Sequence, residues 1–397
     1  MIMADSRPYQ ECSRCILDIA DYPDISFDEW GVCSICHTYD ELARRTLAHG
    51  EVGQHRLDGL LASIRAERHR GGGEYDCLLG VSGGVDSSYV AFLVKQWGLR
   101  PLVVHVDNGW NTDLAVSNIE SLLTKLGFDL FTGVLDWEQM RDFQLAFIKA
   151  HVLDIDLPFD NAFMAFLYRL AAKHRIKFIL SGHNTATEGY LPPTFTHYKL
   201  DSLNLRHIHG LFGTVRLQSF PIIGPVEQWV YETVRGIRLY TPLDWLDYNK
   251  AEAKQLIAAD FGWRDYGGKH YENIFTRFYQ GYILPRKFGV DKRKSHLSTL
   301  VCSGQLTRAE AAAEFKATEP YPDLSLLQTD REFFIKKLGL TAEAFASYIA
   351  APAIPHTRYR SWINVFNSMR PYYRIVRRLI GGTRPAAKTA SSPCRRS

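Results

Sequence analysis

Seven consecutive residues, Ser82-Gly83-Gly84-Val85-Asp86-Ser87-Ser88, carry the groups that bind a polyphosphate. A short apolar run, Cys77-Leu78-Leu79-Gly80-Val81, precedes them, and Tyr89-Val90-Ala91-Phe92-Leu93-Val94 follows as the start of a helix. A strand, a glycine turn and a helix N-terminus bring main-chain N–H groups to one point, where the helix dipole favours an anion. Gly83 and Gly84 lack Cβ, so the backbone can turn sharply and approach a ligand closely. Ser82, Ser87 and Ser88 offer hydroxyl donors. Asp86 is the one charged group, and a carboxylate beside phosphates fits the coordination of Mg²⁺. No Gly-Lys-Ser/Thr follows, which excludes a Walker A loop, and the adjacent glycines exclude a dinucleotide fingerprint.

The loop resembles the pyrophosphatase loop (PP-loop) of the ATP pyrophosphatases, whose pattern is S-G-G-x-D-S. The resemblance implies that ATP and Mg²⁺ are used and that ATP is split between its α and β phosphates. An oxygen of a second substrate is then adenylated, and a nitrogen or sulfur nucleophile displaces AMP. It extends to His105-Val106-Asp107-Asn108-Gly109-Trp110-Asn111, a region that approaches adenine and ribose in such proteins. There Asp107 and Asn108 are expected to hydrogen-bond the nucleoside and Trp110 to stack on a ring; a plain Asp-Asn-Gly turn is the alternative. A third segment is Ser181-Gly182-His183-Asn184-Thr185-Ala186-Thr187-Glu188. Gly182, His183 and Asn184 are expected at the nucleotide, with His183 on a phosphate or acting as acid and base. Ala186 and Thr187 stand where tRNA-type enzymes carry an acidic pair, so a second metal is not implied.

Cys12-Ser13-Arg14-Cys15 and Cys33-Ser34-Ile35-Cys36 form two C-x-x-C knuckles with seventeen residues between them. Cys12, Cys15, Cys33 and Cys36 thus match a structural Zn²⁺ site, with an iron–sulfur cluster as the alternative. A segment this short cannot fold on an apolar core alone, and bound metal would supply the missing stability. Farther on, Tyr266-Gly267-Gly268-Lys269-His270-Tyr271-Glu272-Asn273 is dense in glycine and polar groups, and Arg277, Arg286, Lys287, Lys292, Arg293 and Lys294 follow. Lys269, His270, Glu272 and Arg277 are candidates to hold an anionic substrate or neutralise leaving pyrophosphate; a solvated basic face is the alternative.

Together, the four cysteines, Leu79-Gly80-Val81 with the phosphate loop, His105-Val106-Asp107-Asn108-Gly109-Trp110 and Gly268-Lys269-His270-Tyr271-Glu272-Asn273 resemble the N-acetyl sugar amidotransferase family of bacterial surface-polysaccharide biosynthesis. The resemblance runs from about residue 10 to about 350. It implies conversion of the acetamido group of a nucleotide-activated sugar to an acetamidino group, with Asp86, His183 and Lys269 at the chemistry. Cys302, in Leu300-Val301-Cys302-Ser303-Gly304, lacks the leading glycine of a glutaminase nucleophile elbow, and no N-terminal cysteine is present. Ammonia is therefore expected from a separate glutaminase similar to that of imidazole glycerol phosphate synthase. The rival readings are a tRNA-modifying PP-loop enzyme, a thiolase or lysidine-type ligase, and a non-catalytic adaptor. The first lacks a basic body and an evident persulfide pair; the second leaves the phosphate loop unexplained.

The elements that position these groups alternate in type. Strands are expected at 76–81, 101–106, 128–134 and 176–181, and helices near 86–97, 112–126, 137–151 and 160–174. The pattern predicts an α/β fold: a parallel sheet covered on both faces, with the informative loops at the strands' carboxyl ends. The expected organisation is a cysteine module (1–50), a helical linker (51–74), a PP-loop ATP-binding domain (75–235), a helical C-terminal region (236–380) and a disordered tail (381–397). The 397 residues carry a net charge of only +4, concentrated from Arg374 onward, so nucleic acid is not an expected partner. No apolar run is long enough to span a bilayer and no signal peptide is evident, which predicts a cytoplasmic protein.

Overall fold

The computed structural model describes residues 8–369 except 23, 71–72, 190–191, 269–270 and 322. The expected disordered tail lies outside the described residues. Five strands, β1 (Cys77–Gly80), β2 (Pro101–Asp107), β3 (Asp129–Val134), β4 (Phe178–Leu180) and β5 (Arg238–Tyr240), form one parallel sheet in the order β3-β2-β1-β4-β5. Leu79 of β1 is in register with Val103 of β2 and Leu180 of β4. β1 is buried on both faces, which is why its sequence is apolar without alternation. The period of two still assigns sides. Leu78 and Val104 face one core, with helices Trp137–Lys149 and Leu157–Lys173. Leu79 and Val103 face the other, with helices Gly50–His69, Val85–Gln96, Asp113–Leu126 and Lys250–Phe261.

β5 lies beyond residue 235, the expected end of the sheet domain. Three residues, Arg238-Leu239-Tyr240, are too short a run for periodicity to reveal, and only the pairing with β4 makes them a strand. Helix boundaries follow their caps. Thr112 accepts from the Ala115 amide, Asp136 from Gln139 and Asn249 from Ala251 and Glu252. A helix begins at Ile274, because Asn273 caps it, and it passes into a π-helical stretch, Tyr279–Phe288. Pro285 sits inside that stretch; it has no N–H to give, and the wider turn accommodates its ring. Lys292–Cys302 is a further helix, capped by Asp291, where the sequence showed only a basic run.

The sheet order turns at β1. From there the chain builds outward through β2 to β3, then returns to β4 and β5 on the other side. The loops after β1 and β4 therefore diverge and leave a crevice at the carboxyl edge, where open parallel sheets bind ligands.

Candidate active site

The segment Ser82–Ser88 lies in that crevice. Gly83 has φ +86°, a conformation other residues seldom adopt, and its carbonyl accepts from Trp263 Nε1 (2.8 Å) and the Tyr266 hydroxyl (2.9 Å). Ser82 Oγ accepts from the Gly84 amide at 3.3 Å, and Ser87 Oγ donates to the Gly84 carbonyl at 3.2 Å. A Cβ on Gly182 would sit 2.5 Å from the Ser87 nitrogen, so the loop after β4 presses its backbone directly on the first turn of helix Val85–Gln96. This tight, glycine-dependent packing fits a nucleotide phosphate cradle. His183 and Asn184 follow at once: His183 Nδ1 lies 2.7 Å from Glu188 Oε2, and Asn184 caps the short helix Thr185–Glu188. Glu272 arrives from the C-terminal region, with Oε1 3.9 Å from where a Gly84 Cβ would be.

Two side chains that carried no sequence signal complete the corner. The Tyr248 hydroxyl donates to Asp86 Oδ1, and Lys250 Nζ lies 3.2 Å from Asp86 Oδ2. Burial alone would lower the Lys250 pKa, but Asp86 and Glu188 outweigh it and hold the ammonium above its ordinary value. Burial, and then the Asp86 charge, push the Tyr248 phenol up, which keeps it a donor. Asp86 thus stands at a helix N-terminus with both carboxylate oxygens engaged; the helix end and the Lys250 cation suit a phosphate, and Mg²⁺ on Asp86 would take the place of one of these partners.

The loop after β2 is arranged differently from expectation. Trp110 does not present a ring for stacking: it is fully buried among Trp137, Phe275, Phe333 and Phe334, with Nε1 donating to Gln144. Its size and apolar faces are better satisfied in the core than beside a polar loop. Asn108 is buried too, joining the Trp110 amide to Asn273 Nδ2 at 3.0 Å. Asp107 accepts from the Gly109 amide at 2.7 Å. His105 donates from Nδ1 to the Val81 carbonyl and accepts at Nε2 from Asn111, and burial lowers its pKa, so the ring is neutral and braces the phosphate loop.

A cavity of about 330 Å³ opens from this corner. Lys250, Thr187 and Gly268 line its sheet end, and Tyr271, Arg277, Lys292 and Arg293 line the C-terminal end. Arg277 is a buried wall residue: its Nε and Nη2 donate to Asp330 at 2.7 and 2.8 Å, and its Nη1 to the Tyr271 carbonyl at 3.5 Å. Lys269 and His270 lie outside the described residues.

The cysteine module reaches the edge of the crevice through helix Ser34–Thr46, whose Thr46 Oγ1 lies 2.9 Å from Thr185 Oγ1. Sγ atoms of Cys12, Cys15, Cys33 and Cys36 all lie within 4.8 Å of one another and all four residues are buried. Four convergent thiols with no disulfide fit a closed, tetrahedral metal site such as Zn²⁺. Cys302 Sγ lies 3.7 Å from Cys36 Sγ, so this residue belongs with the module.

Residues 272–370 match the family model of the WbpG-like LPS biosynthesis protein, C-terminal domain. The C-terminal part of this chain is similar to that domain. The match begins at Glu272, inside the Gly268–Asn273 block, and agrees with the resemblance to amidotransferases of surface-polysaccharide biosynthesis. No curated protein matches the chain. The solved structures to which it is similar include three at low identity. One is a predicted subunit of tRNA methyltransferase from Methanocaldococcus jannaschii DSM (18% identity, 46% of this chain and 73% of that one, TM-score 0.27). Another is NMN synthetase from Francisella tularensis (12%, 52% and 86%, 0.29). The third is NH3-dependent NAD synthetase from Campylobacter jejuni subsp. jejuni NCTC 11168 (14%, 76% and 98%, 0.28). Among the described residues no helix is long and apolar enough to cross a membrane.

Proposed function

We propose that this WbpG-like chain is the synthetase component of an ATP-dependent amidotransferase that turns the N-acetyl group of a nucleotide-activated sugar into an acetamidino group. One observation carries the reading. Lys250 touches Asp86 of the phosphate loop and lines the cavity walled by the WbpG-like domain, so both substrates would meet at one corner.

An acetamide oxygen is a poor leaving group. In the proposed reaction it attacks the α-phosphorus of ATP, and the bond to the β-phosphate oxygen breaks to release pyrophosphate. Ammonia adds to the activated carbon, AMP departs with the former acetamide oxygen, and a proton is lost to leave the amidine. Amides of the Ser82–Ser88 loop would hold the phosphates, and Lys250 would neutralise charge that builds on them. Mg²⁺ beside Asp86 would add charge neutralisation at the same oxygens. His183, paired with Glu188, is placed to move a proton at the rim of the crevice. Of the wall cations, Lys292 suits a substrate phosphate, whereas Arg293 is held by Asp291 and Thr318. A partner glutaminase would supply ammonia.

The test is mass spectrometry of nucleotide sugars incubated with protein, ATP and an ammonium salt. Replacing oxygen by NH lowers the product mass by about one dalton, with AMP formed in step. Glutamine alone should give no product. Glutamine-dependent turnover by the purified chain would remove the partner from the scheme, and ATP cleavage without sugar modification would overturn the reaction.

A further inference from the structure

The helices that wall the cavity have two working faces. From Lys292–Cys302 the cavity takes Lys292, Arg293, His296, Leu297 and Leu300, and from Arg308–Ala317 it takes Glu314. Behind them sits the cysteine module. Arg308 Nε donates to the carbonyls of Cys12 (3.1 Å) and Cys15 (3.0 Å), the two ends of the first knuckle. Lys294 Nζ reaches Asp18 (2.8 Å) and Asp21 (2.9 Å) in the loop between the knuckles. Arg14 of the module donates to the Cys302 carbonyl at 3.3 Å while paired with Asp40. Ile16 packs with Leu297 and Ala311, and Leu297 is itself a cavity residue.

The Lys294 contacts are shielded from water, whereas the side chains of Arg308 and Arg14 are 39% and 33% exposed. Together these contacts tie the backbone of the knuckles, whose shape a metal would hold rigid, to the backs of two helices that also pack on each other, the first of them resting on helix Thr185–Glu188 as well. Lys292 is one residue from Arg293 and two from Lys294, so a rotation of this helix that released Lys294 would carry both cavity cations with it.

We propose that the cysteine module is a positioning element for the substrate cavity, with Arg308 and Lys294 as the residues through which it holds the cavity wall. This rests on reading the cavity as the sugar-substrate site. Neither residue lines the cavity or touches the phosphate loop, so their effect would fall on the sugar substrate rather than on ATP. Displacing bound groups by an ångström is enough to weaken a site tenfold or more.

The test is the double variant Arg308→Met with Lys294→Met in the full chain, cysteines untouched. Metal content should match the wild type. Hydrogen exchange in 292–302 and 308–317 should quicken about tenfold or more while the helix Val85–Gln96 is unchanged. The KM for the sugar converted in the mass-spectrometric assay should rise about tenfold, with the KM for ATP within about twofold. Stripping metal from the wild type with a chelator should quicken the same two helices. Unchanged exchange there in the variant would overturn the proposal, as would quickened exchange with an unchanged sugar KM, or KM values rising together for both substrates. If no sugar is converted by the wild type, the reaction assigned above fails, and the exchange measurement alone still decides whether the module holds the wall.

Discussion

Asp86 finds Tyr248 and Lys250 from 162 and 164 positions away, and this corner concentrates the site's charge. Replacing Lys250 by Met removes a partly buried cation whose partner remains. Turnover is expected to fall about 10²-fold or more, because neutralisation of phosphate charge is lost, while stability drops by about 1–2 kcal/mol. Steady-state kinetics with a thermal melt separates the two effects; unimpaired turnover would restrict Lys250 to a structural role. A second residue with a defined charge state is His356. Its Nε2 accepts from the Asp154 amide at 3.1 Å and its Nδ1 donates to Asn204 Oδ1 at 2.8 Å, so the fold requires the neutral ring. Burial, and then neighbouring His197, push its pKa down to about 3. The unfolded chain takes the proton near pH 6.5, so below that pH it binds more protons than the fold, and stability falls as acid is added. The loss is about 2 kcal/mol by pH 5. His356→Asn is less stable than wild type at pH 7, and its deficit in Tm should narrow toward pH 5; a constant deficit would show that His356 is not the titrating group. The Ser82–Ser88 loop stood out in the sequence because its pattern is local. Lys250 did not, since an isolated lysine after an asparagine cap looks like any helix start. Trp110 misled for the opposite reason: an aromatic beside a polar turn suggests stacking until the C-terminal phenylalanines that enclose it are in place.

At the scale of elements, the site is made by a loop from β4 pressing on a helix from β1. Gly182 is the contact, and its neighbours there are backbone atoms of Asp86 and Ser87, which cannot turn aside. Gly182→Ala should therefore push the two loops apart, costing about 1–3 kcal/mol and weakening ATP binding, whereas Gly59→Ala, on an open helix surface, should be neutral or slightly stabilising. Calorimetric titration with a non-hydrolysable ATP analogue reads the first effect; an unchanged affinity would show that the β4 loop lies away from the nucleotide. Four of the five strands were evident between amphipathic helices: β1, β2 and β4 because a buried parallel strand leaves a short apolar run, and β3, a mostly exposed edge strand, from its place in the alternation. β5 escaped because its strand character comes from its neighbour β4 rather than from its own three residues. The helix Lys292–Cys302 escaped because the side chains that bury one of its faces are Ser295, Ser298 and Thr299, small polar groups that leave no apolar stripe.

For the molecule as a whole, sequence composition suggests a sheet domain followed by a separate helical region, but the core is shared. Phe275, Phe278, Phe334 and Phe345 join one apolar cluster with Leu78, Val104 and Ile179 of the sheet. The joint is also polar. Asn273 donates to Asn108, the Ile274 amide donates to the Trp110 carbonyl at 2.8 Å, and the buried Arg277–Asp330 pair locks the next turn. A C-terminal segment with so much of its apolar surface against the sheet would leave both surfaces exposed if either part opened alone, so the two should unfold together. Phe278→Ala tests this. Phe278 is fully buried, and its loss should cost about 3–5 kcal/mol. If the parts are one cooperative unit, slow hydrogen exchange should be lost to the same extent in helix Val85–Gln96 under the sheet and in helix Leu324–Leu338 of the C-terminal region. Loss confined to Leu324–Leu338 would mean that the C-terminal region opens by itself, and the cavity would then be a joint between moving parts rather than a preformed pocket.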